Sequence, residues 1–365
     1  MTDYSDSKKT NRGFRNTQNI VSIIFLSLVS LLALSLCIVI LLRNATLKKE
    51  NEAYKSEIDT FNTEGYYTNS QAQELLKKAK EQQAADTRQD LLNQIQNNLE
   101  SGKGTNATIR SLFTDQLVVT DSGKYYFFPI NKDITRNSFA ENDFALNQQN
   151  IMKYQGTDSS VSGALGIDVS RFQGDIDWQK VAAAGVKFAF IRVGVRGTTE
   201  GRIVLDDHFV TNVEGAAQNG IKVGVYFYSQ AVSDEEALEE AKFVLDAIEP
   251  YQISYPVVID MEMADNENAR TTDTTQDQFT SAAKLFCDTV KGAGYTPMIY
   301  GNLKTFTLML DLTKLKDYDT WIAYYSVPQY YPYSFSVWQY ASEGKIDGID
   351  GKVDLNIGVK DWSSK

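Results

Sequence analysis

Three stretches of the chain set an acid against an apolar, β-like run: Gly166-Ile167-Asp168, Pro256-Val257-Val258-Ile259-Asp260-Met261-Glu262 and Lys352-Val353-Asp354. A merely solvated carboxylate is not expected there. Asp260 and Glu262 are two residues apart, so on a strand they share one face, with Cα atoms about 6.6 Å apart. Two carboxylates that close cannot both ionise freely, and one pKa is pushed up. A carboxyl raised in this way is a general acid near neutral pH. Paired acids flanking one bond are what glycoside hydrolysis needs. An acid tied to a neighbouring Arg, or one that binds a cation, would look the same at any single position; three such places make a catalytic cleft the better reading.

Other chemistries have few residues to work with. His208 is the single histidine, and Cys37 and Cys287 are the only cysteines. A His-rich metal site, a zinc cluster and a disulfide framework are excluded, and a Ser-His-Asp triad would hang on His208 alone. No metal or cofactor is expected. The formal net charge of −11 is unevenly placed: residues 1–160 hold 18 Lys+Arg and 18 Asp+Glu, residues 161–365 hold 18 and 29. An acidic C-terminal half argues against nucleic acid or anionic lipid as its partner.

These acids need a scaffold. From Ala164 onward, β-like runs at 164–168, 187–193, 222–228, 256–262 and 296–300 alternate with helical patterns at 177–184, 206–219, 233–248 and 273–292. That rhythm implies right-handed crossovers and a parallel sheet. After Tyr300 it shortens to β-like runs at 320–325, 335–340 and about 345–355. The fold class expected is therefore α/β: an irregular (β/α) barrel of eight strands, five βα units and then three strands, with its site at the strands' C-terminal face. Tyr226, Tyr228, Tyr300, Tyr325 and Trp338 fall in or at the ends of these strands. Each could be core; beside the acids, their flat faces could also cover sugar rings.

The N-terminal part reads differently. Residues 20–42 carry no charge and are long enough to span a bilayer, longer than a signal-peptide core, and Leu41-Leu42-Arg43-Asn44 offers no cleavage site. An uncleaved signal anchor is expected, with residues 1–19 as a cytoplasmic tail. Lys8, Lys9, Arg12 and Arg15 before it balance Arg43, Lys48, Lys49 and Lys55 after it, so flanking charge does not set the orientation. Residues 43–104 read as a helical stalk ending near Ser101-Gly102-Lys103-Gly104. Residues 105–160 read as a small α+β unit and linker, with a hairpin turning at Asp121-Ser122-Gly123-Lys124. The barrel occupies 161–365.

At these residues the sequence resembles the glycoside hydrolase family 25 lysozymes, the Chalaropsis-type N-acetylmuramidases. The likeness runs through Gly166-Ile167-Asp168-Val169-Ser170, Gln173-Gly174, Ile176-Asp177-Trp178 and Phe188-Ala189-Phe190-Ile191-Arg192. It continues through Asp207-His208-Phe209-Val210-Thr211-Asn212, Gly224-Val225-Tyr226-Phe227-Tyr228, Asp260-Met261-Glu262, Trp321-Ile322-Ala323 with Tyr325, Trp338-Gln339-Tyr340 and Val353-Asp354. One departure is Phe227, where many members have His between two aromatics; its side chain should point away from the site. The resemblance implies an eight-stranded barrel that cleaves the β-1,4 bond from N-acetylmuramic acid to N-acetylglucosamine. Glu262 would be the general acid and Asp260 its partner, with Asp168 and Asp354 completing the acidic cleft. Tyr226, Tyr228, Arg192, Tyr300, Tyr325, Trp338 and Gln339 would bind substrate. Peptidoglycan as substrate would place the barrel outside a Gram-positive-type cell and the N-terminus inside. Three other readings stay open: a tethered glycan-binding module that no longer cleaves, an enzyme for another polysaccharide such as chitin, and an envelope assembly protein that meets protein partners through residues 44–160.

Overall fold

The computed structural model describes residues 7–65, 68–264 and 266–362. It divides into two compact units, Met1–Glu100 and Ser101–Lys365.

The first unit is helical. Helix α1 (Ser7–Gly65) is continuous through the uncharged run, and its side chains from Ile20 to Leu42 are exposed. By length and composition it can cross a membrane. Helix α2 (Asn69–Glu100) buries no side chain. It opens on a reciprocal cap: the Gln71 amide N–H donates to Thr68 Oγ1 at 3.3 Å, and the Thr68 N–H donates to Gln71 Oε1 at 2.8 Å. It ends before Gly102, whose φ of 83° suits glycine.

The second unit holds the barrel. Its strands are β1 (Ala164–Val169), β2 (Phe188–Arg196), β3 (Lys222–Ser229), β4 (Val257–Met261), β5 (Pro297–Asn302), β6 (Asp319–Ala323), β7 (Val337–Gly344) and β8 (Val353–Gly358). Strands β1 to β7 pair in sequence and in parallel; β8 runs antiparallel to both β7 and β1 and closes the ring of eight. Strands β1 to β4 are each followed by an α-helix, at Trp178–Ala183, Phe209–Gln218, Asp234–Ile248 and Gln276–Gly292, whereas β5, the fifth of the expected βα units, is followed by short helical turns at Thr305–Met309 and Leu312–Lys314. The last strand begins at Val353, later than the sequence pattern indicated. The chain between it and β7 is a turn, Ile346–Asp350, whose two isoleucines are buried without being in a strand.

Side-chain alternation sorts each strand into two faces. Ile167, Ala189, Ile191, Val225, Phe227, Ile259 and Ile299 face outward into the layer against the helices. Phe227, the departure from the family pattern, is among them and packs against Phe243 with ring centroids 5.9 Å apart. Inward-facing Phe188, Phe190, Tyr255, Val258, Met298, Tyr300, Trp321 and Trp362 fill the barrel. Phe188 stacks on Tyr255 at 5.3 Å and Phe190 on Trp321 at 4.5 Å. Room for these rings comes from Gly166 and Gly224, where a Cβ would collide with Phe188 and Phe190 respectively.

Residues 105–160 hold more structure than a linker. Helix α3 (Thr105–Leu112) leads into a hairpin, Gln116–Asp121 with Lys124–Pro129. Its two-residue turn, Ser122-Gly123, has both φ values positive, as a tight hairpin turn demands. A second hairpin, Phe144–Leu146 with Met152–Tyr154, falls in the stretch expected to be linker. The apolar face of this region, Leu117, Val119, Ile134, Phe144 and Met152, belongs to the same core as the barrel's outer face. The reason lies in the shortened rhythm after β5. Among the described residues no helix packs broadly on β7 or β8, so Trp338 and Tyr340 on β7 require another cover. Phe144 supplies it, its ring edge-on to Trp338 at 5.5 Å. Polar ties reinforce the contact: the Val118 N–H donates to Tyr330 OH at 2.8 Å, and Asn137 Nδ2 donates to the Tyr331 carbonyl at 2.6 Å.

A truncation series measures that cover. Each large apolar side chain returned to water loses about 1.5–3 kcal/mol, and about 1 kcal/mol shifts the Tm of a domain this size by roughly 2–4 °C. A fragment of residues 101–365 should therefore unfold in one transition, and residues 162–365 should melt at least about 5 °C lower. Equal melting temperatures in calorimetry would show that the 101–161 segment is energetically separate.

Candidate active site

The carboxylates converge on one end of the barrel, above the aromatic filling. Asp168 is the penultimate residue of β1, Asp260 the penultimate residue of β4, and Glu262 follows the end of β4. Asp354 is the second residue of β8, and only because β8 is antiparallel does its beginning reach the end where the other strands finish. Asp354 and Asp168 are direct cross-strand partners. Tyr228 and Tyr300 flank Asp260 in register on β3 and β5. All four acids line one cleft of about 560 Å³, together with Arg192, Tyr226, Tyr228, Tyr300, Tyr325 and Gln339.

One hydrogen-bond network holds Asp168. Its Oδ2 accepts from Gln339 Nε2 at 2.9 Å and from Asn356 Nδ2 at 2.8 Å. Gln339 Oε1 accepts in turn from Tyr300 OH at 2.9 Å and Tyr325 OH at 2.7 Å. Asn356 Oδ1 accepts from Trp321 Nε1 at 2.8 Å. Both amides thus present their NH₂ to the carboxylate and their oxygen to an aromatic donor, which favours the ionised form of Asp168. Burial still raises its pKa, to about 6, against the pull of these donors.

The other three acids are less well supplied. Burial first, then the charges of Glu262 and Asp168, pushes Asp260 well above the carboxylate range. Asp260 Oδ1 is buried without a hydrogen-bond partner, an acceptor in the cleft with nothing of the protein to receive. Glu262 is raised by burial and by the charge of Asp168. Asp354 rises to about 9, through burial, the charge of Asp168 and a proton it shares with Asp168. The cleft therefore holds proton donors at neutral pH, as a general acid requires.

Arg192 is bound to an acid outside this group. Its Nε and Nη2 donate to Asp206 Oδ2, each at 2.7 Å. Asp206 also accepts the backbone N–H groups of Arg171 and His208, at 3.1 and 3.0 Å. Fixed in this way, Arg192 faces the cleft wall with its guanidinium 5.0 Å from the ring of Phe172. Phe172, 73% exposed at the cleft rim, offers its ring to solvent.

One candidate lies elsewhere. Trp338 is fully buried on the outer side of β7, where its Nε1 donates to the Tyr324 carbonyl at 2.6 Å. Neighbours on a strand face opposite ways, so Gln339 in the cleft places Trp338 out of it. The indole that lines the cleft is Trp321. Trp321, Asn356, Asp206 and Phe172 were not singled out by type and spacing. Asn356 was within reach, being two residues beyond Asp354 and so on its face; Asp206 and Phe172 lie outside the regular strands, where no periodicity marks an inward side chain.

A closed barrel with a ring of acids and aromatic residues at one end is a glycoside hydrolase architecture, and sequence comparison agrees. The sequence model of "Glycosyl hydrolases family 25" matches residues 167–349, and the chain belongs to that family. The uncharacterized protein YegX of Escherichia coli strain K12 is 31% identical over 200 residues, covering 53% of this chain and 68% of that one. The autolytic lysozyme of Clostridium acetobutylicum is 28% identical over 192 residues, covering 52% of this chain and 54% of the lysozyme. Among solved structures, the modular autolysin LytC of Streptococcus pneumoniae superposes with a TM-score of 0.50 at 24% identity. That match covers 67% of this chain and 58% of LytC, and it bears on the fold. Asp354 and Asn356 lie beyond the family match.

The acid cluster carries a pH signature. Asp168 and Asp354 bind protons more tightly folded than unfolded, so their contribution to stability is complete below about pH 4 and is lost as pH rises through about 6 and about 9. The Tm of residues 101–365 should fall between about pH 5 and 9, and Asp354→Asn should flatten that fall, because a neutral amide has no proton to lose. Parallel Tm–pH curves for the two proteins would rule out a raised pKa at Asp354.

Proposed function

We propose that the protein is a membrane-tethered muramidase that hydrolyses the β-1,4 bond between N-acetylmuramic acid and N-acetylglucosamine in peptidoglycan. The observation that carries this reading is the convergence of Asp168, Asp260, Glu262 and Asp354 in one cleft, with Asp260 Oδ1 buried and unpartnered. The family supports it, as does the name of the autolytic lysozyme among the relatives.

In this reading Glu262, raised by burial, gives its proton to the bridging oxygen as the bond to the anomeric carbon breaks. Positive charge develops on the sugar ring, the carboxylates beneath it stabilise that charge, and a water molecule finally adds at the anomeric carbon and returns a proton to Glu262. Asp260 receives the N–H of the 2-acetamido group at its free oxygen, which orients the substituent and favours the ionised carboxylate. Asp168, held by Gln339 and Asn356, keeps negative charge in the cleft, and Asp354 shares its proton with it. Tyr226, Tyr228 and the rim ring of Phe172 cover the apolar faces of the sugars. Gln339 acts through Asp168, since both its polar ends are engaged.

Mass spectrometry of digested walls tests the bond: new reducing ends should be muramic acid. Glu262→Gln keeps shape but removes the transferable proton, and should slow release by about 10²–10⁴-fold. Asp260→Asn should be similarly severe, while Asp168→Asn and Asp354→Asn should reduce activity less uniformly. Wild type and Glu262→Gln clearing walls at the same rate would leave only a glycan-binding module; glucosamine reducing ends would assign a different bond.

The uncharged run in α1 supports anchoring, and a peptidoglycan substrate sets the direction: N-terminus cytoplasmic, residues from 43 onward outside, with residues 44–160 available to envelope partners. The full chain should stay with membranes through an alkaline carbonate wash, and protease added to intact spheroplasts should release the barrel. Protection in spheroplasts with cleavage after lysis would reverse the orientation.

A further inference from the structure

Beside the carboxylate cleft is a second hollow of about 380 Å³. Glu262 and Tyr325 line both; Asp168, Asp260 and Asp354 line only the first. A general acid must reach the oxygen that joins the two halves of its substrate. With the charge-stabilising carboxylates all on one side of Glu262, that side takes the sugar whose anomeric carbon reacts. The hollow on the other side faces the leaving group. Thr120, Asn302, Lys304 and Arg110 supply its polar lining.

Two cations border this hollow, and they differ. Lys304 is matched by Asp121 at 2.6 Å. Arg110 is held without a counter-charge: Nε donates to the Val118 carbonyl and Nη1 to Tyr324 OH, both at 3.1 Å, and the guanidinium lies 4.2 Å from the centre of the Tyr330 ring. Those bonds leave further N–H groups of the guanidinium fork to donate. Among the described residues no carboxylate oxygen comes within ion-pair distance of it. A fixed, unmatched guanidinium beside a reaction cleft, on a barrel with 29 acidic and 18 basic residues from 161 onward, is placed for an anionic ligand. Arg110 belongs to α3, outside the family match.

We propose that this hollow is the leaving-group subsite and that Arg110 receives a carboxylate carried by the glycan beyond the cleaved bond. The proposal rests on the muramidase reading for its direction. Such a carboxylate has two sources in the wall polymer, the lactyl group of a muramic acid freed of its peptide and the stem peptide itself. Either would meet the guanidinium in a charge-assisted pair.

The test measures binding of soluble glycan strands to the full chain in detergent, in a Glu262→Gln background, with Arg110 intact or changed to Gln or Lys. Three ligands are compared: strands with stem peptides, strands stripped to the lactyl carboxylate by an amidase, and strands whose carboxylates have been converted to neutral amides. Arg110→Gln should weaken binding of a carboxylate-bearing strand about tenfold or more, and Arg110→Lys by less. Amidation should weaken binding to the Arg110 protein by a similar factor, which needs no variant to fold, and the effect should shrink with added salt. A loss seen only with stem-bearing strands assigns the peptide carboxylate, a loss seen only with stripped strands assigns the lactyl group, and a loss with both shows that Arg110 receives either. Equal affinity for charged and amidated strands with Arg110 intact would overturn the proposal. Cleavage assays on the same strands keep the two readings apart. If wild type and Glu262→Gln release ends equally while Arg110 still discriminates, the hydrolase reading falls and the carboxylate receptor stands.

Discussion

Burying carboxyl groups in the mouth of a closed barrel is the constraint around which the rest is arranged. A charged carboxylate removed from water loses several kcal/mol of solvation unless donors or partners replace it. The barrel answers unequally. Asp168 receives two amide donors, each locked by an aromatic O–H or N–H from Tyr300, Tyr325 or Trp321. Asp354 keeps its proton and shares it. Asp260 is left with a bare acceptor. This inequality separates the pKa values of four like groups and so divides their work. The aromatic filling therefore has two roles: it packs the interior, and its polar edges orient the amides that orient the acid.

Closure by an antiparallel strand is the second decisive feature. In an all-parallel barrel the eighth strand would bring its C-terminal residues to the active end. Here β8 runs the other way, so Val353-Asp354 arrives at the mouth and Gly358 lies at the far end beside Ala164. The same register places Asn356 deeper on the same face, between Asp168 and Trp321. A single reversal thus supplies both a cleft acid and the amide that holds another.

The reversal also removes a helix. Parallel βα units carry their own outer cover, whereas β7 and β8 have none, and large side chains on their outer faces must be buried by something else. Phe144, Met152 and their neighbours in 105–160 do this. The segment thereby brings Arg110 and Thr120 alongside Glu262, so cover for the barrel and the wall of the second hollow come from the same stretch of chain.

Local pattern was enough for much of this. The uncharged run at 20–42, the alternation of βα units from Ala164 and the Ser122-Gly123 turn all depend on neighbours in sequence, and period and composition reveal them. The pair Asp260 and Glu262 was legible for the same reason, since residues two apart in extended chain, here the end of β4 and the residue after it, share a face whatever surrounds them. What depended on distant chain was not legible. The direction of β8 is set by which edge of the sheet it closes. The burial of Phe144 and Met152 is set by an uncovered strand far along the chain. Trp338 and Gln339 show the limit most closely: alternation says that one faces in and the other out, but which faces in is decided by register against β6 and β8. That register directed the amide to Asp168, and it turned the indole outward, against Phe144.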